Sequence, residues 1–408
     1  MRILLLNEYF PPDTSATAYM AAAVVEALAE GHAVTVLCGR PSYDPSERHP
    51  FYLLRRERQG VVMVERVGST AFPRFQMLGR VSNYLSYVAL AVPRALLVRT
   101  DLVMAMTDPP FQGIVGAFVA GLKRQPFVYN IRDLYPEMAV AGRIVRPSLW
   151  VRIWEWLHRW ALRRANRVIV LGEDTRERIV AKGIDLARVV VVRDGAQATP
   201  PVARQDHPVT REIRSGFPFV VLHAGNMGFY GAWETIIKAA GLLDHEAVGF
   251  VFVGEGAQRS QVESAARGVS RIKFLPFRPA NQVPYVMAAG DLHLVTIKRG
   301  LEGVVVPSKL YSILAAGRPV LALAPEGSDA ARVVRRLGCG VVVDPDDPAA
   351  VASVVQELAH DRQRLAGMGE RALQAAGEFA RDKELQLFRR VVEDVARAAC
   401  PDVSGSRL

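Results

Sequence analysis

Short runs of β-branched and other apolar residues alternate with longer segments of helical periodicity along the chain, and the series starts afresh near its middle. That alternation builds βαβ units around mostly parallel sheets. The first series offers strands at Ile3–Leu6, Ala33–Leu37, Val61–Arg66, Leu102–Met106, Phe127–Asn130, Arg167–Leu171 and Val189–Val192, with a helix over Ala18–Glu30 ending at Gly31. A polar stretch with three prolines follows Val192 and reads as a linker. The second series offers Phe219–His223, Gly249–Val253, Arg271–Leu275, Leu292–Thr296, Val320–Ala324 and Gly340–Val343.

A chain of 408 residues exceeds what one core fills, so two α/β domains are expected, each a doubly wound Rossmann-like sheet, facing one another across a cleft. The expected divisions are a first domain at 1–195, a linker at 196–216, a second domain at 217–375 and a helical tail at 376–408 that packs back on the first domain.

The formal charge is +10, and 26 of the 51 Lys+Arg against 18 of the 41 Asp+Glu fall in residues 1–200, leaving 25 against 23. The basic excess of the first half suits nucleic acid, an anionic bilayer or an acidic substrate alike. No nucleic-acid motif accompanies it, so a nucleic-acid partner is not expected. Cys38, Cys339 and Cys400 are scattered and lack metal-ligand spacing, which points to a reducing compartment without a disulfide framework or zinc site. The N-terminal apolar run breaks within seven residues and reads as a buried strand rather than a signal peptide. The charge-free apolar stretches fall short of the roughly 20 residues that span a bilayer, so a cytoplasmic location is expected.

Three segments carry chemistry. Leu222–Gly231 is a strand running through Gly225, Asn226 and Gly228 into a helix over Ala232–Ala240; the glycines let backbone N–H groups approach an anion, or simply serve a βα turn. Phe252-Val-Gly-Glu-Gly256 repeats this at the next strand end, where Glu255 binds a ribose hydroxyl or caps a helix. Between Lys298 and Val320, Ser308 is expected to N-cap a helix that opens with Lys309 and stops at Gly317. A cation in the first turn opposes the helix dipole, unless a diphosphate binds there.

In the first half, Arg132, Asp133 and Glu137 follow a buried strand and fall at a strand end facing the expected cleft; Asp133 is a base candidate or an N-cap. Glu8–Tyr19, with Thr14, Ser15 and Thr17, is a loop at the same sheet edge. Aromatic and basic residues interleave over Phe72–Arg99 and again at Trp150, Trp154, Trp156 and Trp160, which suits an anionic bilayer surface or an internal helix.

The chain resembles the GT-B fold retaining glycosyltransferases of glycosyltransferase family 4, and within them bacterial surface-polysaccharide enzymes similar to fucosamine transferases. The matching pieces are Glu8–Asp13, Gly31–Val36, Ile131–Glu137, Ala224–Gly228, Phe252–Gly256, Val306–Tyr311 and Ala315–Pro319, in the family's order. The resemblance implies hexose or amino-hexose transfer from a nucleoside-diphosphate sugar, UDP ahead of GDP, to an acceptor hydroxyl in polysaccharide or glycolipid assembly, without a metal or other cofactor. It implies phosphate contacts at Gly225, Asn226, Gly228, Pro307, Ser308 and Lys309, with Phe277 and Arg278 against the base. It also implies Asp133 and Lys309 as the catalytic pair, and a lipid-linked acceptor met at the inner face of the cytoplasmic membrane. The family's usual Glu-x7-Glu pair is replaced by Val304 and Ser312, leaving Glu302 as the nearby carboxylate and Lys298, Arg299 and Lys309 as the cations. Competing readings are a transferase for a soluble small molecule, a nucleotide-sugar epimerase, and a non-catalytic nucleotide- or nucleic-acid-binding protein.

Overall fold

The computed structural model describes residues 1–42, 50–72, 77–196, 207–243 and 247–399. Residues 197–206 of the expected linker, residues 73–76 of the aromatic stretch, and the chain from Cys400 onward lie outside the described residues. Two units emerge: one of Met1–Leu171, Arg176–Val192 and Leu385–Leu408, the other of Gly172–Thr175 and Arg193–Glu384.

The first series gives β1 (Arg2–Leu6), α1 (Ala16–Ala29), β2 (Ala33–Cys38), β3 (Leu54–Gln59), β4 (Val62–Val67), α2 (Met77–Leu97), β5 (Leu102–Ala105) and α3 (Gln112–Lys123). It continues with β6 (Phe127–Ile131), α4 (Glu137–Ala141), α5 (Leu149–Arg164), β7 (Arg167–Val170), α6 (Glu173–Ala181) and β8 (Val189–Val191). The sheet order is β3-β4-β2-β1-β5-β6-β7-β8, parallel except for β3. Helices cover both faces of such a sheet, so its inner strands read as unbroken apolar runs, and Ile3, Leu4, Leu5 and Leu6 are all buried. The edge strand β3, sequence Leu-Arg-Arg-Glu-Arg-Gln, has no such run and was not expected; its charges suit an exposed sheet edge.

The second series gives α7 (Pro208–Arg214), β9 (Phe219–Ala224), α8 (Trp233–Leu242), β10 (Val248–Val253), α9 (Arg259–Ala265), β11 (Ile272–Leu275), α10 (Val283–Ala289) and β12 (Leu292–Thr296). Then come α11 (Lys309–Ala315), β13 (Val320–Leu323), α12 (Asp329–Leu337), β14 (Gly340–Val343), α13 (Pro348–His360), α14 (Arg362–Ala375) and α15 (Arg381–Ala399). This sheet is wholly parallel, in the order β11-β10-β9-β12-β13-β14. Helix α7 occupies much of the expected linker, because Val209 and Ile213 bury against β9 and β10 and Arg214 pairs with the buried Asp291 at 2.9 Å.

The tail helix α15 places Phe388, Val391, Val392 and Val395 in the first unit's core with Val24 and Leu28. At its surface Arg389 pairs with Glu30 at 2.8 Å, and Glu393 with His32 at 3.1 Å. Cys38 and Cys339 are buried thiols; burial pushes Cys38 up to about 12 and Cys339 up to about 11, so both stay protonated.

Candidate functional site

The second unit gathers its candidate residues at the carboxyl ends of β9, β10 and β12, where a doubly wound sheet offers its loops to ligands. Strand β9 ends at Ala224, and the chain passes through Gly225 at φ +134° into the loop before α8. Lys309, the first residue of α11, is half-buried and reaches back to this loop, its Nζ lying 3.3 Å from Nδ1 and 3.2 Å from Nε2 of His223 on β9. A Cβ on Gly225 would stand 3.6 Å from that Nζ. The glycine loop and the lysine expected to share a phosphate therefore do meet.

His223 was not singled out in the sequence, where it reads as one residue of an apolar strand. Its ring is fully buried, edge-on to Trp233 with centroids 4.8 Å apart, and burial, then the Lys309 charge, holds it well below the ordinary histidine value. The imidazole is neutral. Burial alone lowers Lys309 to about 7, so near neutral pH its charge responds to whatever anion arrives.

The loop from Gly225 to Gly231 is fastened by its own aromatic residues. Trp233 Nε1 donates to the Gly228 carbonyl at 2.7 Å and Tyr230 Oη to the Asn226 carbonyl at 3.0 Å. A Cβ on Gly228 would fall 2.4 Å from the Tyr230 ring, and one on Gly231 2.3 Å from the Trp233 ring. These two glycines make room for the rings. Gly254 and Gly256, at φ +142° and +152°, serve loop-to-loop packing: side chains there would meet the Gly225 carbonyl at 2.2 Å and the Met227 carbonyl at 2.4 Å.

Several expected contacts have other partners. The exposed Glu255 carboxylate pairs with Arg259, while its carbonyl accepts the Met227 N–H at 2.7 Å. Arg278 pairs with Glu212 of α7 at 2.5 Å, and Phe277 is 68% exposed. Lys298 is exposed and contributes its N–H to the Tyr230 carbonyl at 2.7 Å, whereas Arg299 is held by Asp344 and Asp346 at 2.6 and 2.9 Å. Ser308 stands at the N-cap position of α11 in αR geometry, is exposed, and makes no side-chain cap bond, contrary to the expectation. Pro307 and Val304 are buried and Glu302 is partly so.

What fixes α11 lies on its far side. Tyr311 stacks on Phe379 at 5.2 Å and points its hydroxyl at Asp329 at 3.5 Å, and Asp329 pairs with Arg193 at 2.8 Å. Asp174 accepts the Asp329 N–H at 2.9 Å and also holds the Gly303 backbone; burial raises its pKa, against those amide bonds. Arg193, Asp174 and Asp329 are far apart in sequence, which hid this network.

In the first unit Ser15 caps α1, accepting the Ala18 N–H at 3.0 Å, with Thr14 exposed and Thr17 half-buried beside it. Arg132 and Asp133 follow β6 and are half-buried. Glu137 opens α4 and pairs with the buried Lys182 at 2.5 Å, which Glu155 also holds at 2.7 Å. That pairing gives Glu137 a task inside the unit. Below it His158 is pushed down to about 3 by burial and by Lys182.

The family model described as a glycosyl transferase 4-like domain matches residues 15–195, and the glycosyl transferases group 1 model matches residues 218–361. A UDP complex of Anabaena Alr3699/HepE superimposes with a TM-score of 0.68, covering 97% of this chain and 100% of that one at 19% identity. The chain belongs to the GT-B glycosyltransferases. Among curated relatives, the probable glycosyltransferase WbjE of Pseudomonas aeruginosa is 28% identical over 68% of this chain and 70% of its own. The putative colanic acid biosynthesis glycosyl transferase WcaI of Escherichia coli K12 is 24% identical over 88% of this chain and 92% of its own. The boundary between the two family models falls at the start of the second series of strands, so the Lys309 site lies in the group 1 domain of this glycosyltransferase.

Proposed function

We propose that this glycosyltransferase moves a hexose or amino-hexose from a UDP-sugar, in preference to a GDP-sugar, to a hydroxyl of a lipid-linked saccharide, with retention of anomeric configuration. The transfer serves surface-polysaccharide assembly at the inner face of the cytoplasmic membrane. The observation that carries this reading is the meeting of Lys309, His223 and the Gly225 loop at one sheet edge. The similarity to WcaI, whose name places it in colanic acid biosynthesis, supports the polysaccharide context.

The chemistry asked of the site is stabilisation of a departing diphosphate. As the bond from the anomeric carbon to the diphosphate oxygen breaks, negative charge builds on that oxygen. A half-buried ammonium opposite it is worth more there than in water. The acceptor oxygen then bonds to the same face of the anomeric carbon, and its proton passes to the departing phosphate oxygen. No protein nucleophile is required. Lys309 supplies the cationic role without a metal, Gly225, Asn226 and Gly228 shape the phosphate loop, and the Asp133 carboxylate is the acceptor-side group that opposes the positive charge developing at the anomeric carbon.

A panel of nucleotide sugars, incubated with and without lipid-linked acceptors, tests the reading through nucleoside-diphosphate release and the anomeric configuration of the product. Acceptor-dependent release of UDP with a retained anomer is the expected result. Release of a free epimerised sugar nucleotide, or an inverted product, contradicts it.

A further inference from the structure

Helix α2 has its amphipathicity reversed. Its buried side is Gly79, Asn83, Tyr87, Ala91 and Ala95, with Asn83 hydrogen-bonded to Thr70 and Phe72. Its outward stripe is Leu78, Val81, Leu85, Ala89, Pro93 and Leu97, all exposed, with Leu78 at 83% and Leu97 at 74%. A helix that only covers a sheet carries polar residues on that side. The neighbouring helices repeat the pattern: α3 packs against both α2 and α5 and exposes Phe118 and Leu122, while α5 exposes Trp150 at 79% and Trp156 at 65%. Trp156 lies on an outward stripe with Leu149, Ile153 and Trp160, opposite the buried His158, Ala161 and Leu162. One side of the first unit thus presents a contiguous apolar surface, which a soluble protein seldom leaves uncovered.

The charge that these three helices carry is almost wholly basic. Helices α2 and α3 contain no acidic residue, and the lone carboxylate of α5, Glu155, is tied to Lys182 and Arg159. Arg80, Arg152, Arg163 and Arg164 belong to these helices, with Arg99 and Arg124 just past the ends of α2 and α3. Where α2 and α3 end, an open cavity of about 590 Å³ is lined by Arg99, Lys123, Leu96 and Leu122 and by Arg2, whose charge Asp101 balances, so the exposed Arg99 adjoins the apolar stripe directly.

We propose that the α2–α3–α5 face docks on the surface of an anionic bilayer, with the tryptophans and leucines at the acyl boundary and the arginines among lipid phosphates. A second copy of the chain is a poor occupant, because a self-complementary contact would oppose like charges. No helix of the described residues is long and apolar enough to cross a membrane, so the face lies on the bilayer rather than through it. The inference deepens the proposed function, resting on its lipid-linked acceptor only for its purpose.

Co-sedimentation of the full chain with vesicles of phosphatidylcholine alone, or with about one-third phosphatidylglycerol, tests the proposal. Binding to the anionic vesicles is expected to be at least about tenfold tighter, to weaken with salt and to blue-shift tryptophan fluorescence. The Trp150→Ser/Trp156→Ser variant should lose at least about tenfold in binding while keeping wild-type UDP affinity and melting temperature. Arg99→Glu should weaken only the anionic preference. Absence of binding to either vesicle, wild-type binding by the tryptophan variant, or a dimer in light scattering that the tryptophan variant dissolves would each overturn the docking. Loss of UDP binding by the wild-type protein would instead count against the transferase reading and leave the docking result intact.

Discussion

Lys309 draws its sensitivity from burial, and its neighbour on the strand side is a neutral imidazole 3.2 Å away. With a pKa of about 7, the ammonium is present below neutral pH and lost above it; a bound diphosphate raises that value, so binding takes up a proton. UDP affinity should therefore fall as pH rises from 6.5 to 9. His223→Phe keeps the packing on Trp233 but removes the one unprotonated ring nitrogen that can accept from the ammonium, so the midpoint of this pH profile should move lower. An unchanged profile in the variant would show that His223 only fills space. Arg278 is the contrary case. Because its guanidinium is held by Glu212, Arg278→Ala should leave UDP affinity within about twofold, and calorimetry checks this.

At the scale of elements, the two glycine loops differ in kind from the glycine within α8. Gly254→Ala would push a Cβ to 2.2 Å from the Gly225 carbonyl at φ +142°, and should destabilise the second unit by at least ~3 kcal/mol. Gly241→Ala meets nothing within 4 Å inside α8 and should stabilise by roughly 0.5–1 kcal/mol, raising the melting temperature by a few degrees. Thermal melts of the pair separate packing glycines from incidental ones. The parallel strands were legible in the sequence because burial on both faces demands apolar runs such as Ile3–Leu6 and Phe219–Leu222. The edge strand β3 was not, since an exposed edge makes no such demand. Meeting of Lys309 with the Gly225 loop was legible as two strand-end motifs. Its support by His223, Tyr311, Asp329, Arg193 and Asp174 was not, because those contacts join residues up to 155 positions apart, as between Asp174 and Asp329. Single residues such as Ser15, Glu137, Glu255 and Arg278 have local partners that spacing alone could not separate from ligand contacts.

Over the whole molecule, the chain's last described helix belongs to its first core. Truncation after Glu384 removes Phe388, Val391, Val392 and Val395, each contributing roughly 1.5–3 kcal/mol by burial, and should leave the first unit open to limited proteolysis while β9 to β14 persist. Equal protease resistance in the truncated and full chains would refute that dependence. The excess of basic residues in the first half, ambiguous by composition, gains a physical setting on α2, α3 and α5, where it borders exposed leucine and tryptophan. The second half is nearly balanced, and Lys309 is the cation that reaches its glycine loop. Calorimetric titration of UDP into the wild-type protein and Lys309→Ala at pH 6.5 and 8.5 decides whether Lys309 holds the diphosphate. Lys309→Ala should lose roughly ten- to a hundredfold in affinity at pH 6.5, together with the wild-type pH dependence. Equal affinity of the two proteins at pH 6.5 would contradict the assignment of the diphosphate to this site.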